Sequence, residues 1–301
     1  MRREVIIDAD PGIDDAIAIA LATYSKNLDI KLITTVCGNV TIDKITKNTL
    51  NFLQAIDITN IPVAIGAEKP IARKKDNSIQ AHGKSGLGDW KFPKCTLKPI
   101  KENAVEKMHE VLSNSDKKII IIALGPLTNI ATLINTYPDI KDKIDYILFS
   151  GGLLLDNQSS RYFGFNIQQD PEAAQIVWQS GIKIVVCPSD HGHYGYLTQA
   201  EIEKTKKMGK TGEMLYEIYK SYRDTHVTVG IAIHDAVAVA VVSNPELFRM
   251  ENMYTQITYI KKVNNSLLDF DAHKTPNTLV ATSMNVDKFK KLYFNTLKRM
   301  P

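Results

Sequence analysis

Residues 4–15 read Glu4-Val5-Ile6-Ile7-Asp8-Ala9-Asp10-Pro11-Gly12-Ile13-Asp14-Asp15, placing four aspartates within eight positions directly after the first apolar run. The β-branched stretch ending at Asp8 reads as a buried strand, and the apolar series Ala16, Ile17, Ala20, Leu21, Tyr24 recurs at helical spacing. The carboxylates are therefore predicted to crowd onto one strand-to-helix turn. Like charges at that range raise one another's pKa unless a cation or dedicated donors neutralise them. Hard oxygen donors of this kind suit Ca²⁺ or Mg²⁺. Helix capping and the helix dipole account for one or two of the four but not for the set. An EF-hand is excluded, because a loop counted from Asp8 requires Glu at its twelfth position and Ile19 stands there. A phosphohydrolase with an Asp-x-Asp nucleophile, Asp8 or Asp10, is a competing reading that gives the pair Asp14-Asp15 no task.

Outward from this turn, apolar runs at 5–8, 30–37, 118–124, 144–150 and 182–188 alternate with amphipathic stretches. That alternation predicts βαβ units and an α/β fold, a mostly parallel open sheet with flanking helices. A largely helical region is expected over 189–242, then a small antiparallel segment (253–260, 266–270, 278–281) and a terminal helix from Val286. Ligands of such sheets bind beyond the carboxyl ends of the strands. The residues to read are therefore Asp8 and Asp10, Gly38-Asn39, Leu124-Gly125-Pro126, Gly151-Gly152 and Ser189-Asp190. A long polar stretch over 66–99 holds His82-Gly83-Lys84-Ser85-Gly86-Leu87-Gly88, whose glycine spacing matches no dinucleotide fingerprint.

With 301 residues, 44 % of them hydrophobic and 23 % charged, the chain can bury a large core, and we expect one domain spanning 1–301. A formal charge of +4, from scattered lysines, argues for a solvated surface rather than a nucleic-acid footprint. Cys37, Cys95 and Cys187 follow no zinc spacing and suit a reducing compartment. No run is long enough to span a bilayer and no signal-peptide apolar region precedes the first strand, so no membrane partner and a cytoplasmic location are expected.

Further along, His234-Asp235 opens an apolar helix, which would project both side chains from a helix N-terminus. Asn39 after Gly38 is commonly a turn residue. Asn166 and Asp170 are expected to flank a strand-to-helix boundary, with Asp170 as N-cap and Pro171 at the first helical position.

Taken together these motifs resemble the inosine-uridine-type nucleoside hydrolases. The resemblance rests on Asp8-Ala9-Asp10-Pro11-Gly12-Ile13-Asp14-Asp15-Ala16 and continues through Cys37-Gly38-Asn39-Val40, His82-Gly83 and Ala123-Leu124-Gly125-Pro126-Leu127-Thr128-Asn129. Gly151-Gly152, Phe165-Asn166-Ile167, Asp170-Pro171-Glu172, His234-Asp235 and Asn285-Val286-Asp287 follow in the same order over nearly the whole chain. It implies a Rossmann-like nucleoside hydrolase fold and hydrolysis of the N-glycosidic bond of ribonucleosides, or 5′-modified relatives, to a free base and ribose. It also implies a homo-oligomer, dimer or tetramer. By the same resemblance, Asp10, Asp15, Asp235 and the Leu124 carbonyl are ligands of Ca²⁺, and Asp14 is the base that deprotonates a water on that ion. Asn39 and Asn166 lie near the water and the ribose hydroxyls, His82 belongs to the substrate pocket, and His234 assists departure of the base.

One departure is informative. In Arg161-Tyr162-Phe163-Gly164-Phe165-Asn166, Gly164 stands where the family carries a glutamate that holds the ribose 5′ hydroxyl, and Gln158 stands where an asparagine with the same duty is expected. Arg161, three residues away, is either a solvated loop residue, the commoner case for a loop arginine, or a group that lets this pocket accept 5′-modified substrates. The altered pocket also motivates a rival reading, a weakly active or non-catalytic nucleoside-binding protein.

Overall fold

The computed structural model describes residues 2–72, 82–154, 164–222, 230–260, 265–271 and 273–301. The first apolar run forms strand β1 (Arg3–Ala9), apolar on both faces: Val5, Ile7 and Ala9 enter one buried cluster, and Ile6 enters a second on the other side. Such a strand belongs inside a sheet covered on both sides. β2 (Leu28–Thr35) and β4 (Ile119–Ala123) flank it in parallel. β3 (Val63–Ile65) pairs with β2, while β5 (Ile144–Ser150) and β6 (Ile184–Cys187) continue the sheet beyond β4. The order β3-β2-β1-β4-β5-β6 changes its direction of growth between β1 and β4. At that reversal an open α/β sheet leaves a crevice beyond its carboxyl ends. Asp10 and Leu124 are the residues that follow those two strands.

The helices explain which side chains reach the crevice. α1 (Ile13–Thr23) is buried from Ile13 to Ala22, as its apolar residues on every side require. On the opposite sheet face lie α3 (Ala104–Ser113) and α4 (Thr128–Thr136), and α2 (Ile42–Ala55) joins the α1 side. Two short helices follow β5, α5 (Phe165–Gln169) and α6 (Pro171–Trp178). α7 (Asp190–Tyr194), α8 (Gln199–Lys206), α9 (Gly209–Lys220) and α10 (His234–Ser243) supply the expected helical region. α10 is as completely buried as α1 and packs against it.

The antiparallel segment comprises β9 (Phe248–Ile260), β10 (Asn265–Asp271) and β11 (Thr278–Met284), followed by α11 (Val286–Leu297). It extends the main sheet: β11 pairs in parallel with β6, and β9 runs antiparallel between β11 and β10, giving nine strands. A separate two-stranded ladder, β7 (Leu197–Thr198) with β8 (Gly230–Ile231), interrupts the region expected to be helical. The residues before Asp170 form α5 rather than the expected strand, so the boundary there is helix to helix. Asp170 nonetheless caps α6 as expected, accepting from Ala173 N, with Pro171 at the first helical position. Among the described residues no helix is long and apolar enough to cross a membrane.

Candidate active site

Two buried helices begin at the crevice, and their first turns carry the acids. Asp14 and Asp15 lie in the first turn of α1 and Asp235 in the first turn of α10. One oxygen from each lies within 4.8 Å of the others, and all three residues are buried. Asp15 Oδ2 accepts from the Gly12 amide at 3.0 Å and from Asn39 Nδ2 at 3.4 Å, whereas its buried Oδ1 has no hydrogen-bond donor among the described residues. Ser150 Oγ, at the end of β5, donates to Asp235 Oδ1 at 2.8 Å. Asp10 stands beside this triad: the Asn39 amide donates to its Oδ2 at 2.8 Å, and Asn39 Nδ2 donates to its carbonyl at 3.0 Å. Asn39 is thus a clamp on two carboxylate residues rather than a simple turn residue. Gly38 makes the clamp possible, since a Cβ there would lie 1.8 Å from Asp10 Oδ2.

Burial dominates the electrostatics. It raises Asp15 to about 8, helped by the charge of Asp14. Asp10 is pushed well above the carboxylate range by burial and then by Asp15, and Asp235 by burial, Asp15 and Asp14. Each tenfold change in ionisation is worth about 1.4 kcal/mol, while a helix N-terminus returns only about 0.3–1 kcal/mol. The two dipoles therefore cannot compensate the set. A divalent cation can, and Asp15 Oδ1, with no donor among the described residues and set among hard oxygens, fits one.

Asp8 differs. It accepts from Thr34 Oγ1 at 2.6 Å and Asn129 Nδ2 at 2.8 Å, and burial lifts it to about 7 against those two bonds. Fully buried and held on the α4 side by Thr34 and Asn129, it is not part of the Asp14, Asp15 and Asp235 cluster.

Leu124 follows β4, and its carbonyl accepts from Asn166 Nδ2 at 2.7 Å; the same nitrogen reaches the Ser150 carbonyl at 3.2 Å. His234 opens α10, half-buried, with Nδ1 donating to the Ser189 carbonyl at 3.0 Å. His82 Nδ1 accepts from the Ile13 amide at 3.1 Å, capping α1, and its ring lies 5.5 Å from that of Tyr222. Gly164 precedes α5 with φ −121°, a conformation open to residues with side chains. Gln158 and Arg161 lie outside the described residues.

The profile of the inosine-uridine preferring nucleoside hydrolase family matches residues 5–291. The chain belongs to this family. Its relatives include the non-specific ribonucleoside hydrolase RihC of Escherichia coli O127:H6, 33 % identical over 305 residues and 100 % of each chain. The purine-preferring ribonucleoside hydrolase from Gardnerella vaginalis superposes with a TM-score of 0.90 at 26 % identity, covering 99 % of this chain and 98 % of that one. A plant nucleoside hydrolase, PpNRh1, gives 0.87 at 28 % identity over 99 % of both chains. The protein is thus a nucleoside hydrolase that cleaves the N-glycosidic bond of ribonucleosides, and the phosphohydrolase reading falls away.

Sequence reasoning left several of the hydrolase's site residues without a role: Ser150 on Asp235, Asn129 and Thr34 on Asp8, and the Ser189 carbonyl on His234. Ser150, Thr34 and Ser189 lie at or beside strand carboxyl ends. That position was the available signal, but hydroxyl residues there are more often turn formers.

Proposed function

We propose that the hydrolase works with Ca²⁺ held by Asp10, Asp15, Asp235 and the Leu124 carbonyl, with Asp14 as general base and His234 as the acid for the leaving base. The observation that supports this is the buried carboxylate cluster at two helix N-termini, in which oxygens of Asp15 and Asp235 converge with one of Asp14 and Asp10 stands beside them on the Asn39 clamp. When bound, the ion supplies Lewis acidity towards water and sugar hydroxyls. Asp14 takes the proton of the attacking water as the C1′–N bond breaks and the C1′–O bond forms. Asn39 and Asn166, fixed on the carboxylate floor and on Leu124, orient the ribose. That anionic floor favours the oxocarbenium-like sugar electrostatically. His234, whose Nδ1 donates to the Ser189 carbonyl, would give its proton to the base through Nε2. His82, whose Nδ1 accepts from the Ile13 amide beside the acidic turn, is the residue assigned to the base side of the pocket. A wide base range follows the relatives named non-specific ribonucleoside hydrolases. The three cysteines, none of which forms a disulfide, support the expected reducing, cytoplasmic setting; a dimer or tetramer is the assembly carried by the resemblance.

His234→Ala tests the acid. It should lower kcat on inosine and uridine by roughly a hundredfold or more, while p-nitrophenyl riboside, whose leaving group needs no proton, is nearly spared. Equal losses on both substrates would remove His234 from this role.

The 5′ pocket is a second point of test. Loss of one charged hydrogen bond to a 5′ hydroxyl costs about 1.5–3 kcal/mol, or roughly ten- to a hundredfold in rate. Gly164 also removes a charge that would repel a 5′ phosphate, and Arg161, three residues earlier in the sequence, is the candidate to attract one. 5′-Deoxy or 5′-phosphorylated nucleosides should therefore match or exceed the parent in kcat/KM, and Gly164→Glu should shift that ratio towards the parent about tenfold. A clear natural preference for unmodified nucleosides, or an unchanged ranking in Gly164→Glu, contradicts the reading.

A further inference from the structure

The stretch Ser189-Asp190-His191-Gly192-His193-Tyr194 has only one atom, the Ser189 carbonyl, in the chemistry above, yet it closes on His234 from several directions. Gly192 comes so near that a Cβ there would lie 2.1 Å from His234 Nδ1 and 2.8 Å from its Cα. His193 meets the His234 ring edge to face, with centroids 4.9 Å apart and planes at 72°. The short helix α7 that carries both residues is tied to two other parts of the fold. His191 Nε2 donates to the Ala281 carbonyl of β11 at 2.8 Å, and Asp190 Oδ2 accepts from the Leu154 amide, past the end of β5, at 2.8 Å. A ring braced on such a support limits the rotation of its neighbour, because edge-to-face aromatic contacts have a preferred geometry.

We propose that His193 is a positioning residue for His234. Its ring holds the His234 imidazole in the orientation in which Nδ1–H meets the Ser189 carbonyl and Nε2 meets the departing base. The inference rests on the reading of His234 as the leaving-group acid. An acid displaced by about 1 Å loses up to roughly a hundredfold in rate, so the orienting contact has a kinetic consequence although His193 touches no substrate. Gly192 contributes by leaving room for α7 to approach.

The test compares His193→Ala, His193→Phe, His234→Ala and the double variant His193→Ala/His234→Ala on inosine and on p-nitrophenyl riboside. His193→Ala should lower kcat on inosine about tenfold with KM little changed, and change p-nitrophenyl riboside turnover less than about twofold. His193→Phe, which keeps the ring and the edge-to-face contact, should recover most of the loss. In the double variant the His193 substitution should add nothing to the loss caused by His234→Ala. Equal losses on both substrates, a Phe variant no better than Ala, additive losses in the double variant, or wild-type kinetics in His193→Ala would each overturn the proposal. If His234→Ala itself slows both substrates equally, the acid assignment falls first, an outcome distinct from a selective His234→Ala beside an inert His193→Ala.

Discussion

Asp15→Ala should release the bound metal and end turnover together. The proposed ion would supply several kcal/mol of transition-state stabilisation, so its loss should lower kcat/KM by roughly a thousandfold or more. Metal content by mass spectrometry and release of base, measured on the same samples, check the coupling, and Asp10→Ala should move both in the same direction. Full activity in exhaustively chelated protein would end the metal assignment. The chelated protein should also show a characteristic pH dependence. Burial lifts Asp15 from 3.8 to about 8 and Asp8 from 3.8 to about 7 in the folded state. A carboxyl raised on folding contributes stability that is complete below its unfolded value and is lost as pH rises through the folded one. Metal-free protein should therefore lose melting temperature between about pH 4 and pH 8, and added Ca²⁺ should restore it most at the upper end, where all the ligands are ionised. A flat metal-free profile would contradict this.

The same chemistry explains how much of the site is legible in the bare sequence. Asp8, Asp10, Asp14 and Asp15 are contiguous, and four acids on one turn exceed any capping need, so their crowding follows from spacing alone. The two-faced alternation of β1, with Val5 and Ile7 on one side and Ile6 on the other, likewise predicts an interior strand of a covered sheet. Asp235 was legible because an Asp-His pair opening an all-apolar helix is unusual. Other features left no such mark. The ladder of Leu197 with Ile231 is two residues long on each strand, too short for any periodicity. That the antiparallel segment joins β6 through β11 depends on register between strands some ninety residues apart, which local pattern does not encode. The short helix around Asn166 was misread as a strand end because Phe165-Asn166-Ile167 has the alternation of a strand and too few residues to reveal a helix.

Asp14 and Asp15 are neighbours with converging oxygens, and the roles given to them make opposite demands. A ligand needs permanent ionisation, whereas a general base must cycle its proton. Asp15 is bound into the floor: its Oδ2 takes the Gly12 amide and Asn39, and its charge couples with Asp10 and Asp235. Asp14, in the same turn, is slightly more exposed at 8 % against 1 %, as the proposed exchange of a proton with an entering water requires. Asp14→Asn keeps the shape but removes the proton acceptor. It should lower kcat by roughly a hundredfold or more, while metal content and melting temperature hold. Because the base acts on water rather than on the leaving group, the loss should be as large on p-nitrophenyl riboside as on inosine, the reverse of the selectivity expected for His234→Ala. Measuring kcat on both substrates together with bound metal separates the two aspartates. If Asp14→Asn sheds its metal in step with its activity, Asp14 is a ligand, and the proton acceptor must be sought elsewhere in the cluster.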